Sequence, residues 1–395
     1  MLTPTCVARD LTFCVVRSFD ALSRAVAASG DCHTILAGGR GGEVIKYDLS
    51  WPQADVDVSQ HLEPMLRVLT GSGAINALSV SANGNIMATG GESKVVELWE
   101  LTAGVNKDLV NFDRDPLEEM DASEAPILEE SACVDRFKCD WQIHSLAMSE
   151  DTTVLAVGVS THTEVYRLRW ITKPLITTRQ ELDESRRGEG SQRVSREPTL
   201  FLDEAAAQQG GIALCAKGNT LAVCGKQMVR LYPVPSGATL RCLQREGRVR
   251  CVALTRDGDM LASGGFDERV NMIRNDHGTR LLHCTESSWA EVRSVHCVTG
   301  YSLFAVGVDE GGKSGAVRLY DTNEIRGEGF STHMHTWQHS KPVWAVRFSS
   351  DTSLLFAAGY DGVATMYDPV SKVILLQINH HAQRGPAFIW SLSLP

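Results

Sequence analysis

Residues 337–378 read WQHSKPVWAVRFSSDTSLLFAAGYDGVATMYDPVSKVILLQI. Three runs of alternating apolar residues follow one another there, at 343–348, 354–358 and 363–367. The turns between them are Ser349-Ser350-Asp351-Thr352 and Gly359-Tyr360-Asp361-Gly362. Alternation over five or six residues between polar, glycine-bearing turns marks short antiparallel strands. Residues 373–378 supply a fourth. Four such strands cannot cover both of their own faces, so the unit is stable only beside copies of itself.

Copies are present. Residues 249–273 (VRCVALTRDGDMLASGGFDERVNMI) align on 343–367 without a gap and place Asp267 on Asp361. Residues 75–99 (INALSVSANGNIMATGGESKVVELW) align equally well. Third strands close on Tyr47-Asp48, Trp99-Glu100, Tyr320-Asp321 and Tyr367-Asp368, and the pair decays to Tyr232-Pro233 and Ile273-Arg274.

These endings, with a small-Gly-x-x-Asp turn before the third strand, resemble the WD40-repeat family, over almost the whole chain and without singling out a member. The resemblance implies an all-β propeller, here with seven recognisable four-stranded blades. It also implies a hydrogen-bonded tetrad in the best blade that includes His339 and Asp361. Elsewhere that tetrad is expected to be lost, because Gly71 and Arg245 stand at the His position and Ser93 at an Asp position. About function the resemblance says little.

Repetition argues for a single β-propeller over residues 1–395 with two insertions. The first, 103–140, crowds acids such as Asp113, Asp115, Glu118 and Glu119 among few apolar residues and reads as an acidic loop. The second, 172–209, is of mixed charge, and its Ser191 and Ser195 are flanked by arginines. Partial repeats stand at both ends. Residues 6–10 resemble a worn third strand, 11–17 a fourth, and 388–393 the opening of another first strand. Either these end segments meet to close the ring, with seven or eight blades, or the chain is a section of a longer protein. The second is favoured.

The 395 residues carry a formal net charge of -10, which gives no global positive field for a nucleic-acid backbone or an anionic membrane. Eleven cysteines without CxxC spacing, lying mainly in expected strands, read as reduced thiols. With no apolar run of spanning length and no basic-then-apolar leader, the expectation is a cytoplasmic or nuclear protein.

Local chemistry motifs dissolve on inspection. Gly307-Val308-Asp309-Glu310-Gly311-Gly312-Lys313-Ser314 spells a phosphate-binding loop, but that loop needs a helix behind it, and here an apolar run, 316–320, follows. It reads as a glycine-rich hairpin. His333, His335, His339, His380 and His381 lack a carboxylate or Cys at metal-ligand spacing. No catalytic residue, cofactor or metal ligand is therefore assigned.

What remains is one narrow face, where first strands begin and second strands turn into third strands. Arg24, Asn76, His144, Arg250, Arg293 and Trp344 share the entry position, and Arg40, Glu92, Phe266 and Tyr360 precede the turn's Asp position. Four arginines and three aromatics on one rim are the residue types that carry interface energy. The expected function is a non-catalytic scaffold that binds a protein or an acidic or phosphorylated peptide there. The alternatives are the sensing region of a larger signalling protein and, from a different class, a propeller enzyme with a site in its central channel.

Overall fold

The computed structural model describes residues 14–17, 23–29, 34–39, 41–48, 64–71, 73–101, 126–128, 132–170, 194–203, 211–234, 236–275, 280–285, 290–298, 303–321, 333–349, 352–361, 363–379 and 391–393. No α-helix occurs among them. Chain order opens with β1 (Cys14–Arg17). Blade 1 is β2 (Ser23–Ala28), β3 (Thr34–Gly39), β4 (Glu43–Asp48) and β5 (Pro64–Leu69). Blade 2 is β6 (Ile75–Val80), β7 (Ile86–Gly91), β8 (Val95–Glu100) and β9 (Cys133–Lys138). Blade 3 is β10 (Ile143–Met148), β11 (Val154–Val159), β12 (Thr163–Trp170) and β13 (Val194–Leu202). Blade 4 is β14 (Ile212–Leu214), β15 (Thr220–Cys224), β16 (Met228–Pro233) and β17 (Arg241–Gln244). Blade 5 is β18 (Val249–Leu254), β19 (Met260–Gly265), β20 (Arg269–Arg274) and β21 (Arg280–Thr285). Blade 6 is β22 (Ala290–Cys297), β23 (Leu303–Glu310), β24 (Ser314–Asp321) and β25 (His335–His339). Blade 7 is β26 (Val343–Phe348), β27 (Leu355–Gly359), β28 (Val363–Asp368) and β29 (Val373–Asn379), and β30 (Ser391–Ser393) ends the series.

The seven blades form a ring, each built on four antiparallel strands, and from blade 1 to blade 7 each first strand packs on the first strand of the next. The ring has seven blades rather than eight, and blades 1 and 7 have five strands rather than four. Among the described residues the end segments do not pair with each other. β1 joins the outer edge of blade 7, parallel to β29, whereas β30 joins the inner edge of blade 1, parallel to β2, and packs on β26 and β6. Residues 6–10 lie outside the described residues.

Both insertions are shorter than the sequence suggests. β9 occupies Cys133–Lys138, inside 103–140, and pairs with β8. It forms because Val134 and Phe137 are buried while Arg136 and Lys138 face water. β13 likewise lies inside 172–209, pairs with β12, and puts Ser195 in a strand opposite Arg169. Ser191 and the acids at 113–119 lie outside the described residues.

Each blade buries both faces between its neighbours. Second strands are therefore mostly apolar, as in the fully buried Val-Leu-Ala-Val-Gly-Val of β11. Paired glycines end β3, β7 and β19, and in β7 and β19 they do so for two separate steric reasons. A Cβ on Gly90 would stand 2.7 Å from Ile143 of the next blade, and one on Gly91 would stand 1.9 Å from the Ala74 carbonyl oxygen of its own blade. Gly264 and Gly265 repeat the arrangement, at 2.2 Å from Val292 and 2.1 Å from the Arg248 carbonyl.

The blade locks are more varied than a lost tetrad. In blade 7, His339 Nδ1 lies 3.6 Å from Asp361 Oδ2 and its Nε2 lies 2.5 Å from the Tyr367 hydroxyl. In blade 5, Arg245 rebuilds the link instead of abolishing it. Its Nε and Nη2 donate to the two Asp267 oxygens at 2.9 and 2.7 Å, and its Nη1 donates to Ser263 Oγ at 3.1 Å. In blade 2, the buried Glu97 accepts from the Gly71 amide at 3.1 Å and from Trp99 Nε1 at 3.3 Å, and it pairs with Arg136 at 2.7 Å. Blade 3 places Glu164 at the matching position, where it accepts from Cys139 Sγ and Tyr166 Oη.

The hairpin spelled by residues 307–314 is β23 turning into β24, with Gly311 and Gly312 at φ of +66° and +75°. Asp309 Oδ1 accepts the Gly312 amide at 2.7 Å and so closes the turn.

Candidate binding rim

Six of the seven inner strands begin with a bulge. Pairing with the second strand skips one residue between Ser23 and Ala25, Ile75 and Ala77, Ile143 and Ser145, Val249 and Cys251, Val292 and Ser294, and Val343 and Ala345. The skipped residues are Arg24, Asn76, His144, Arg250, Arg293 and Trp344. A bulge frees one residue from the ladder and re-aims its side chain. β14 pairs without a shift, so blade 4 contributes none. The turn residues share one backbone bond, since the amides of Glu92, Phe266 and Tyr360 donate to the carbonyls of Ala74, Arg248 and Pro342 at 3.0, 2.9 and 2.9 Å. The two sets of rim residues therefore stand at equivalent places in their blades.

Their surroundings differ. Arg250 lies over the Phe266 ring, 4.5 Å from its centroid, and reaches Glu291 of blade 6 only at 3.9 Å. Burial, with Arg293 nearby, pushes its guanidinium down to about 10, which leaves it charged at neutral pH. Arg293 is bound by two carboxylates, Glu291 at 2.8 Å and Asp309 more closely still, with a second bond from Nε to Asp309 Oδ2 at 3.1 Å. Trp344 and Tyr360 form an edge-to-face pair at 5.4 Å and 65°. Phe266 and Tyr360 are both more than a third exposed, so each keeps apolar area facing water.

Two members turn inward. Asn76 Nδ2 donates to the Ile143 carbonyl at 3.2 Å, tying blade 2 to blade 3. His144 Nε2 lies 2.9 Å from Ser160 Oγ, and burial holds its imidazole below the ordinary value, toward the neutral form. Arg24 occupies the β2 bulge, and Arg40 lies outside the described residues. The structure thus gathers an Arg250–Phe266 pair on blade 5, a neutralised Arg293 on blade 6 and a Trp344–Tyr360 pair on blade 7. Glu291 was not singled out in the sequence, and Asp309 was read only as part of the glycine-rich hairpin, yet both tether Arg293. Their only signal is an acid next but one before Arg293 and an acid in the facing second strand.

Among the described residues no group of three or more His, Cys, Asp or Glu could hold a metal ion, and no helix is long and apolar enough to cross a membrane. Buried thiols, for example Cys224, Cys251 and Cys297, are pushed up to about 12 by desolvation.

The family model described as "WD domain, G-beta repeat" matches residues 64–100, 237–273 and 331–368. Each match runs from an outer strand through the three strands of the next blade. Among solved structures, the chain is similar to the β-propeller domain of Cps50 (Swd1) from Myceliophteria thermophila, at a TM-score of 0.58 and 12% identity. The similarity covers 87% of this chain and 95% of that one. No curated protein matches the sequence.

Proposed function

Because the chain is a WD40-repeat β-propeller, we propose that it is a non-catalytic protein-interaction scaffold whose partner binds the bulge rim of blades 5 to 7. The observation that carries the reading is the bulge series, which sets Arg250, Arg293 and Trp344 at one position on consecutive blades. Arg250 on Phe266 combines a charge held in place with apolar area, and Trp344 beside Tyr360 adds rings that bury area at low entropy cost. A partner carboxylate or phosphate would compete with Glu291 for Arg250, whose existing contact is long. An acidic or phosphorylated peptide is the partner chemistry that fits. The proposed setting is the cytoplasm or nucleus, where reduced buried thiols persist.

The test is affinity capture from a cell extract, read by mass spectrometry, with the native chain and a folded variant carrying Arg24→Glu, Arg250→Glu and Arg293→Glu. Partners present with the native chain and lost with the variant are expected. Identical partner sets for both would contradict the rim as the binding surface.

A further inference from the structure

The inner strands line a central channel with a cavity of about 120 Å³. Strand register identifies one equivalent wall position in six blades: Ser79, Ala147, Ala213, Ala253, His296 and Arg347, which pair with Ala88, Ala156, Ala222, Ala262, Ala305 and Phe356. All six line the cavity. Four blades keep the channel open with a small side chain, and adjacent blades 6 and 7 instead place a histidine and an arginine in its wall.

The polar arrangement there is specific. Arg347 Nη1 donates to Ser294 Oγ at 3.2 Å and to the Val346 carbonyl at 2.7 Å, and Ser294 Oγ also accepts the Val346 amide at 3.1 Å. Among the described residues no carboxylate pairs with Arg347. Glu150, the acid in the cavity lining, is held by Arg256. His296 Nδ1 accepts the Phe348 amide at 3.0 Å, so the ring's proton resides on Nε2 and that nitrogen is a donor. A half-buried cation with spare N–H groups therefore stands beside a neutral N–H donor. Water can satisfy such N–H groups but cannot neutralise the charge.

We propose that the channel binds a small oxyanion of the phosphate type, held by the Arg347 guanidinium and the Nε2–H of His296. The planar guanidinium fork matches two oxygens of such a group, and an ion pair partly buried in the channel wall is screened less than one on open surface. The cavity is close in size to the ~150 Å³ engineered cavity that admits benzene, so a single phosphate group fits. Desolvation also pushes Arg347 down to about 10, the direction expected of a cation that loses hydration without gaining a counter-charge.

The test is calorimetric titration of the full chain with inorganic phosphate, at ionic strength held constant with chloride. One saturable site is expected, with affinity lowered at least tenfold in Arg347→Met. Should that variant fail to fold, Ala147→Leu fills the channel from another blade while keeping the arginine, and it is expected to abolish the response. Phosphoserine in a parallel titration separates sources: tighter binding than phosphate assigns the group to a phosphorylated side chain entering the channel, and weaker binding assigns it to the free ion. No saturable binding up to about 10 mM, which is weaker than ~3 kcal/mol, or native affinity in either folded variant, would overturn the proposal.

Discussion

Arg245 shows how one residue can replace a motif without losing its work. The family's histidine is absent from blade 5, yet a bidentate Arg245–Asp267 pair, with both side chains almost fully buried, holds the same turn. Removing one member of a buried pair strands the other charge, so Arg245→Met is expected to lower stability by about 3–5 kcal/mol in denaturant unfolding. Arg245→His, which restores the family's pairing, should lose clearly less, and an equal loss would show that the pairing is not what Arg245 supplies. A second prediction concerns the turn position after Asp267 and Ser93, where Glu268 and Lys94 sit at φ of 59° and 66°. Blade 7 has Gly362 there. Left-handed backbone disfavours a Cβ by about 1 kcal/mol, so Glu268→Gly should be more stable than Glu268→Ala, which removes the same side chain, by about that amount, whereas equal stabilities would contradict the strain. The pattern of the turn is legible in the sequence. That Arg245 would rebuild the lock is not, because the rescue depends on its reaching Ser263 and Asp267 across the blade.

At the scale of the strand, the bulge is the element that makes the rim. It brings the second strand so close that a side chain at its last residue has no room: a Cβ at Gly359 would lie 2.1 Å from the Pro342 carbonyl oxygen. Gly359→Ala must therefore open the bulge or displace Pro342. It is expected to cost more than 1 kcal/mol in stability and to weaken partner binding through Trp344, two residues beyond Pro342. Full stability with unchanged binding would show that the bulge is not a constraint. First, second and third strands were readable from period-two alternation and shared turns. Outer strands were read less well. β9 carries Asp135, Arg136 and Lys138 next to an acidic stretch, and β13 carries Arg196, Glu197 and Pro198, because an edge strand needs only one buried face. Blade 4 lost its bulge along with three residues of inner strand, which period-two alternation does not reveal.

For the whole molecule, the two end strands do different work. β30 lies at the inner edge of blade 1 and touches β26 and β6, so it bridges the blade 7–blade 1 seam, whereas β1 extends an outer edge. Deleting residues 389–395 should lower the unfolding temperature more than deleting 1–17, and the reverse order would contradict closure through β30. Acid adds another whole-chain effect. His296 is held well below the ordinary 6.5 by burial and by Arg347, so the unfolded chain binds a proton there that the folded chain refuses. Stability must then fall as pH drops below 6.5, and His296→Gln should flatten that fall between about pH 6.5 and 5, with an unchanged slope as the contrary result. The ring itself was legible from repetition. The Arg347–His296 wall was not, because its significance appears only when the inner strands of six blades are placed around one channel.

The central claim is that one narrow face of the ring recognises a partner through its bulge residues. It is tested most directly by measuring the dissociation constant of a captured partner for three chains: native, Arg250→Glu with Trp344→Ala, and Lys217→Glu. Lys217 is exposed in the β14–β15 turn on the opposite narrow face. The account predicts a loss of about tenfold or more for the double variant and less than about twofold for Lys217→Glu. Equal affinities for native and double variant, or a larger loss from Lys217→Glu, would contradict it.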